Sequence, residues 1–223
     1  MGWYADHFFP WLIERLEGPE ISALRKRCVA PVAGEIIEIG FGTGKTLPFY
    51  GRRVTRLTAV EPSRGMNRRT EVLLHSAPFP TELVPHGAEA LPFKDASFDA
   101  AVCTMTLCTV DDPSAVLREV GRLLRPEGRF HFLEHVQSED PRLKRRQQRL
   151  DPLQRWLGCG CHLTRDTETA IREAGFEIET IEKIILQDMR GFDPRLVPMI
   201  LGVAVPRLAP ADSRPELEAH PQR

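Results

Sequence analysis

Two hydrophobic periods alternate along the chain. Short apolar runs rich in β-branched residues, at 35–39, 56–61, 100–104, 129–136, 176–184 and 198–205, have the length and composition of strands. Residues 81–86 make a weaker seventh, because Pro85 cannot donate to a ladder. Between the strands, apolar residues recur at helical spacing. A helix is expected over 45–53, and another runs from a Ser63 cap to His75. Asp112 and Pro113 open a third, striped by Val116, Leu117, Val120, Leu123 and Leu124 and closed by a turn at 125–128. Residues 137–150 read as a basic helix, and Asp151 and Pro152 as the cap and first residue of the next. Thr164 is the expected cap of a helix over 165–174, ended by Gly175 in the left-handed region. Ahead of all this, Phe8, Phe9, Leu12, Ile13 and Leu16 line one helix, and Ile21, Leu24 and Cys28 line a second beyond the Gly18-Pro19 break.

Strands that alternate with helices predict an α/β fold: an open, mostly parallel sheet with helices on both faces. The short link between the last two strands makes the final pair antiparallel. We read residues 1–206 as one domain, with a helical cap (1–30), a ligand-binding core (35–136) and acceptor-side helices and strands (137–206). Residues 207–223, rich in proline and charge, read as a disordered tail. A chain of 223 residues can bury a substantial core. Its formal net charge of -1 gives no footprint for nucleic acid. Five cysteines and no leader segment are the pattern of reduced thiols in a cytoplasmic setting. No apolar stretch reaches the roughly 18 residues of a membrane span.

The chemistry starts where the first strand stops, at three alternating glycines: Gly40, Gly42 and Gly44. Such a turn lets a ligand approach the backbone closely. A dinucleotide loop, G-x-G-x-x-G, would need glycine where Lys45 stands, and a phosphate loop would need one in place of Ile39. Glu38 would repel a pyrophosphate but suits a cation. S-adenosylmethionine carries a sulfonium and an ammonium and no phosphate. The E-x-G-x-G-x-G pattern over 38–44 resembles motif I of class I methyltransferases. Glu61 lies 21 residues beyond Gly40 and ends the second strand, near the spacing at which an acid reaches a ribose. Pro62 stops that strand, and Met66, one turn into the following helix, could lie against adenine.

The segments E-I-G-F-G-T-G, A-V-E-P-S, G-A-E-A-L-P-F with D-A-S-F-D, and L-R-E-V-G-R-L-L-R-P-E-G-R resemble the small-molecule methyltransferases of the domain 11 type, over about residues 35–136. Further on, V-C-T-M-T-L-C-T-V, F-L-E-H-V and G-C-G-C-H-L-T-R are similar to the methyltransferase-like 7 thiol S-methyltransferases. The resemblance implies a Rossmann-like, seven-stranded sheet and S-adenosylmethionine as cofactor. It implies a cofactor contact set of Glu38, Gly40, Gly42, Gly44, Glu61, Pro62, Met66, Gly87, Ala88, Glu89, Thr104 and Met105. Gly87 replaces the acid usual in the adenine loop, which shifts that contact to Ala88 or Glu89. The animal members' N-terminal anchor is not expected here.

The acceptor implied is a small molecule, with a thiol the first expectation. A quinone, phenol or phospholipid amine is the alternative, and a non-catalytic nucleotide-binding module is a further one. Methyl transfer is an in-line displacement governed by positioning. If a base is used, His135 at the fifth strand's end is the candidate, with Glu134 and Gln148 as further acceptor contacts. Arg165 reads as a pin for Asp151 or a nearby carbonyl. Cys159, Cys161 and His162 lack a second ligand pair at zinc-like spacing, and Cys103 and Cys108 belong to another strand end, so no metal is expected. The aromatic N-terminus (Trp3, Tyr4, Phe8, Phe9, Trp11) reads as a lid over the cleft or a helix on a membrane surface. The basic 142–149 face is a solvated surface or an anionic-membrane contact.

Overall fold

The computed structural model describes residues 17–187 and 193–207, together with Tyr4, Phe8 and Trp11, and leaves out the side chains of residues 68 and 69. The first expected N-terminal helix and the tail beyond residue 207 lie outside the described residues. A helix α1 (Pro19–Val29) leads into β1 (Gly34–Ile39), β2 (Val54–Val60), α2 (Arg64–His75) and β3 (Thr81–Val84). There follow β4 (Phe98–Thr104), α3 (Pro113–Leu123), β5 (Leu124–His135), α4 (Pro141–Leu157), α5 (Thr167–Glu173), β6 (Phe176–Ile184) and β7 (Met199–Pro206).

The seven strands form one sheet in the order β3-β2-β1-β4-β5-β7-β6. The first five pair in parallel, and β7 runs antiparallel to both β5 and β6. Alternation along each strand sends neighbouring side chains to opposite faces. Ile37, Ile39, Ala101, Cys103, Phe130 and Phe132 join one core with Val116, Leu117 and Val120 of α3 and Ile171 of α5. Ile36, Leu57, Ala59, Ala100 and Val102 join the other with Leu24, Cys28 and Val29 of α1 and Leu74 of α2. The sheet is therefore covered on both sides, as its continuous apolar strands require.

The chain leaves β1 on one side through β2 and β3, then returns to the other side as β4. The crevice at the carboxyl ends of β1 and β4 is thus the topological switch point, where sheets of this kind bind ligands.

Several boundaries differ from the sequence reading, each for a local reason. No helix follows the glycine loop, and only a short 3-10 turn, Leu47–Phe49, forms there. Thr46 and Tyr50 on either side turn their hydroxyls back onto Glu38 and leave Tyr50 extended. α4 is one helix with Pro152 inside it, capped by Asp140 through the N–H groups of Arg142 and Leu143. Asp151 caps no helix of its own, because its carboxylate accepts from Leu163 N at 2.7 Å in the next loop. Asp166 rather than Thr164 caps α5, accepting from Thr169 N.

Candidate active site

Gly40 and Gly42 have φ of +68° and +60°, the left-handed conformation that glycine adopts without cost. A Cβ on Gly40 would stand 2.2 Å from Thr106 Oγ1, so the loops after β1 and β4 touch across the switch point. A Cβ on Gly42 would meet nothing nearer than Gly40 O at 3.9 Å. The backbone at Gly42 is therefore open towards a ligand. Nearby, Thr43 Oγ1 and Asn67 Oδ1 are buried without a partner among the described residues.

Glu61 is buried at the end of β2 and accepts from Gly42 N and Ser63 N, both at 2.8 Å. Burial raises its pKa, against the pull of these two N–H groups. Each carboxylate oxygen keeps a lone pair for another donor. Met66 is buried in the first turn of α2, and Pro62 is exposed. Ala88 packs into the core beside α3, while Glu89 is exposed and folds its carboxylate over Gly87.

Glu38 is placed differently from what its motif suggested. It is 1% exposed, and its carboxylate accepts from Thr46 Oγ1 at 2.7 Å and from the Tyr50 hydroxyl at 2.7 Å. Burial lifts its pKa to about 7, tempered by those hydroxyls and by Arg25. Its direct partners are protein groups, so it shapes the glycine loop from beneath.

A charged group the sequence did not reveal lies above it. Arg25 of α1 donates to Thr104 Oγ1 at 2.6 Å and pairs with Glu17 at 3.1 Å; Glu17 also meets Lys45 at 3.1 Å. The cap helix is thereby tied to the ends of β1 and β4.

On the acceptor side, three loops are stitched by bonds to backbone carbonyls. His162 N donates to Cys108 O, Arg165 Nη2 to Val110 O, and Gln137 N to Arg165 O, at 2.7–2.9 Å. Arg165 pins a carbonyl, as its position suggested. Two expected acceptor contacts are corrected. Glu134 is fully buried and accepts from the N–H groups of Thr106, Leu107 and Cys108, so it holds the turn after β4, where Met105 has φ +55°. Gln148 is exposed on α4. Its neighbour Gln147 is the buried one, accepting from Ser138 N and donating to Leu196 O and Val136 O.

His135 is buried, with Nδ1 3.5 Å from Cys161 Sγ and Nε2 unpartnered among the described residues. Cys161 Sγ lies 3.7 Å from Cys108 Sγ. The sequence had kept these thiols apart, on different strand ends, and the fold joins them. Contact with Cys108, and then with His135, lowers the Cys161 pKa despite burial. The same contact, and then burial, raises that of Cys108.

Comparison with known proteins agrees with this geometry. Two family models, each described as a methyltransferase domain, match residues 37–132 and 85–190. The thiol S-methyltransferase TMT1A of Homo sapiens is 35% identical over 189 residues, covering 78% of this chain and 77% of its own. The thiol S-methyltransferase TMT1B of Rattus norvegicus is 34% identical over 151 residues, 66% of this chain; the chain spans 62% of that relative's length. Among solved structures, the YcgJ protein of Bacillus subtilis superposes with a TM-score of 0.67 at 18% identity, covering 86% of this chain and 100% of that one, which shows the shared fold. The chain belongs to the class I S-adenosylmethionine-dependent methyltransferases, close to the thiol S-methyltransferases TMT1A and TMT1B.

Proposed function

We propose that the chain transfers a methyl group from S-adenosylmethionine to a small thiol. The observation that carries the cofactor is the open backbone at Gly42 beside the Glu61 carboxylate, at the switch point of the sheet. The residues fit the ligand. Glu61 has acceptor capacity for ribose hydroxyls, and Met66 and Ala88 offer an apolar wall for adenine. Thr43 and Asn67 have polar atoms to spare. Gly40, Gly42 and Gly44 admit the amino-acid portion, with Thr104 and Met105 on the facing loop. Glu38 contributes through its charge and its hold on Thr46 and Tyr50.

Bound there, S-adenosylmethionine supplies a methyl carbon, which bonds to the acceptor sulfur as its bond to the sulfonium breaks; the acceptor's proton goes to solvent. A thiol of pKa about 8.5 already offers a few per cent thiolate at neutral pH, so no dedicated base is required. The relatives named as thiol S-methyltransferases support a sulfur acceptor, as does the thiol–imidazole cluster at the ends of β4 and β5. We place His135 on the acceptor side, and propose a membrane-facing role for the outer surface of α4.

Calorimetry should show binding of S-adenosylmethionine and none of ATP; the reverse would overturn the cofactor reading. Gly42→Val, which fills the backbone opening, should abolish cofactor binding, and retained affinity would show the cradle misplaced. A screen with labelled cofactor over small alkyl thiols, phenols, amines and a lipid extract tests the acceptor. Labelling of thiols is expected, and labelling of the lipid extract alone would overturn it.

A further inference from the structure

In the cluster of Cys108, His135 and Cys161, the two edges that meet at Cys161 have the dimensions of a metal site. A tetrahedral zinc with bonds of about 2.3 Å to sulfur and about 2.05 Å to nitrogen sets S–S edges of about 3.75 Å and S–N edges of about 3.55 Å. The two thiols stand 3.7 Å apart, and Cys161 Sγ is 3.5 Å from His135 Nδ1. All three ligand atoms lie within 4.8 Å of one another. Each comes from a separate segment: the loop after β4, the end of β5 and the loop after α4. Those segments are locked together by His162 N to Cys108 O, Arg165 Nη2 to Val110 O and, just beyond β5, Gln137 N to Arg165 O. A second observation concerns the imidazole's other nitrogen. Nε2 of His135 is buried without a partner among the described residues. A metal on Nδ1 would fix the proton on Nε2, and since metal-bound histidines normally donate that N–H, its acceptor here would come from a bound molecule.

We propose that Cys108, His135 and Cys161 bind one soft divalent cation, zinc by ligand type, and leave a fourth position for the acceptor thiol. Cys₂His with one open position is the pattern of catalytic rather than structural zinc, whose fourth ligand is a water or a substrate. Cys161 is half-buried and the other two ligands are buried, so the approach is from the Cys161 side. A thiol that coordinates gives up its proton to solvent outright. The metal thus raises the thiolate fraction of the acceptor from a few per cent to nearly all. The site itself stands on geometry alone, whereas the identity of its fourth ligand rests on the thiol acceptor proposed above.

The test begins with metal content, which needs no activity. Full-length protein purified without chelator and freed of any affinity tag should contain about one zinc per chain by mass spectrometry. Replacement by cobalt(II) should give a thiolate-to-cobalt charge-transfer band and the intense visible bands of tetrahedral cobalt. Cys161→Ser, in a half-buried loop position, should lose the metal while keeping the wild-type circular dichroism, and Cys159→Ser should keep it. His135→Asn, which removes one of the three protein ligands, should weaken binding by more than the roughly 10- to 100-fold that loss of an outer-shell partner costs. Protein without metal or cobalt band, or metal retained in Cys161→Ser, would overturn the site; so would a Cys108–Cys161 disulfide found in its place. Adding a small alkyl thiol should shift the cobalt spectrum. A metal-free protein that methylates thiols at the holoprotein's rate would overturn the metal's role and leave the thiol reading standing. A cobalt protein whose spectrum ignores thiols, and which methylates none, would overturn the open position together with the thiol reading while the metal site stands.

Discussion

Glu38 illustrates how a single residue can be legible as a motif while its partners in the fold are not. Its spacing from three glycines identified the loop, but its partners, Thr46 and Tyr50, follow it by 8 and 12 residues and are not part of the motif. The consequence is measurable. A carboxyl whose pKa rises from 4.5 to about 7 on folding binds its proton more tightly in the folded state. Between those values the folded chain carries more protons than the unfolded one, so stability is greatest at the acid end of this window and falls as pH rises through 7. At about 1.4 kcal/mol per pKa unit, the effect of this residue is on the order of a few kcal/mol. Buried His131, its pKa lowered to about 4, gives both proteins an opposite slope below pH 6.5, so the test is the difference. From pH 5 to pH 8 the wild type should lose stability relative to Glu38→Gln in thermal melts, and an equal slope in both would mean Glu38 stays ionised throughout. Gly40 carries a second residue-scale expectation. Gly40→Ala imposes a strained φ of +68° and a Cβ against Thr106, and should cost about 1–3 kcal/mol in denaturant unfolding. Arg25 was not legible at all. Its partner Thr104 lies 79 residues away, and nothing in a helix pattern tells which polar residue turns towards a strand end.

At the scale of elements, the strands and the crossovers were legible because continuous β-branched runs and capped amphipathic stripes repeat the same signal several times over. Helix ends after β5 were not. Asp151-Pro152 and Thr164 each carry ordinary cap chemistry, yet the competition among Asp140, Asp151, Thr164 and Asp166 for nearby N–H groups is decided by packing. Merging two expected helices into α4 also changed which of two adjacent glutamines faces inward, since one residue rotates a side chain by about 100°. Gln147 is fully buried with three hydrogen bonds, and Gln148 is exposed. Gln147→Ala should therefore destabilise the protein by about 2–3 kcal/mol through unpaired backbone groups at Ser138, Val136 and Leu196. Gln148→Ala should change stability by less than about 0.5 kcal/mol, as an exposed substitution does. Denaturant titration of the two variants distinguishes them, and equal losses would put the phase of α4 in error.

For the molecule as a whole, α4 separates chemistry from surroundings. Its inner face holds Gln147 and Asp151, which organise the acceptor loops. On the outer face, at 100° per residue, Arg142, Arg145, Arg146 and Arg149 share about two fifths of the circumference with Leu150, Leu153, Trp156 and Leu157. The first half of that stripe is basic and the second apolar. Leu153 is 55% and Trp156 73% exposed, and Tyr4 stacks on Trp156 while its hydroxyl donates to Leu157 O. No helix among the described residues is long and apolar enough to cross a membrane. A helix that presents guanidinium groups beside leucine and tryptophan instead matches a bilayer interface, where each basic residue is worth about 1 kcal/mol near an anionic surface. The protein should therefore sediment with vesicles of phosphatidylcholine and phosphatidylserine, less so as salt rises, and not with phosphatidylcholine alone. Replacing both Leu153 and Trp156 by aspartate should remove that binding. Because both side chains are more than half exposed and none of the contacts of Cys108, His135 and Cys161 involves them, the same variant should methylate a small soluble thiol at the wild-type rate. Loss of both properties together would mean that the outer face of α4 supports the acceptor loops, and a salt-independent association would assign it to contacts between copies of the chain.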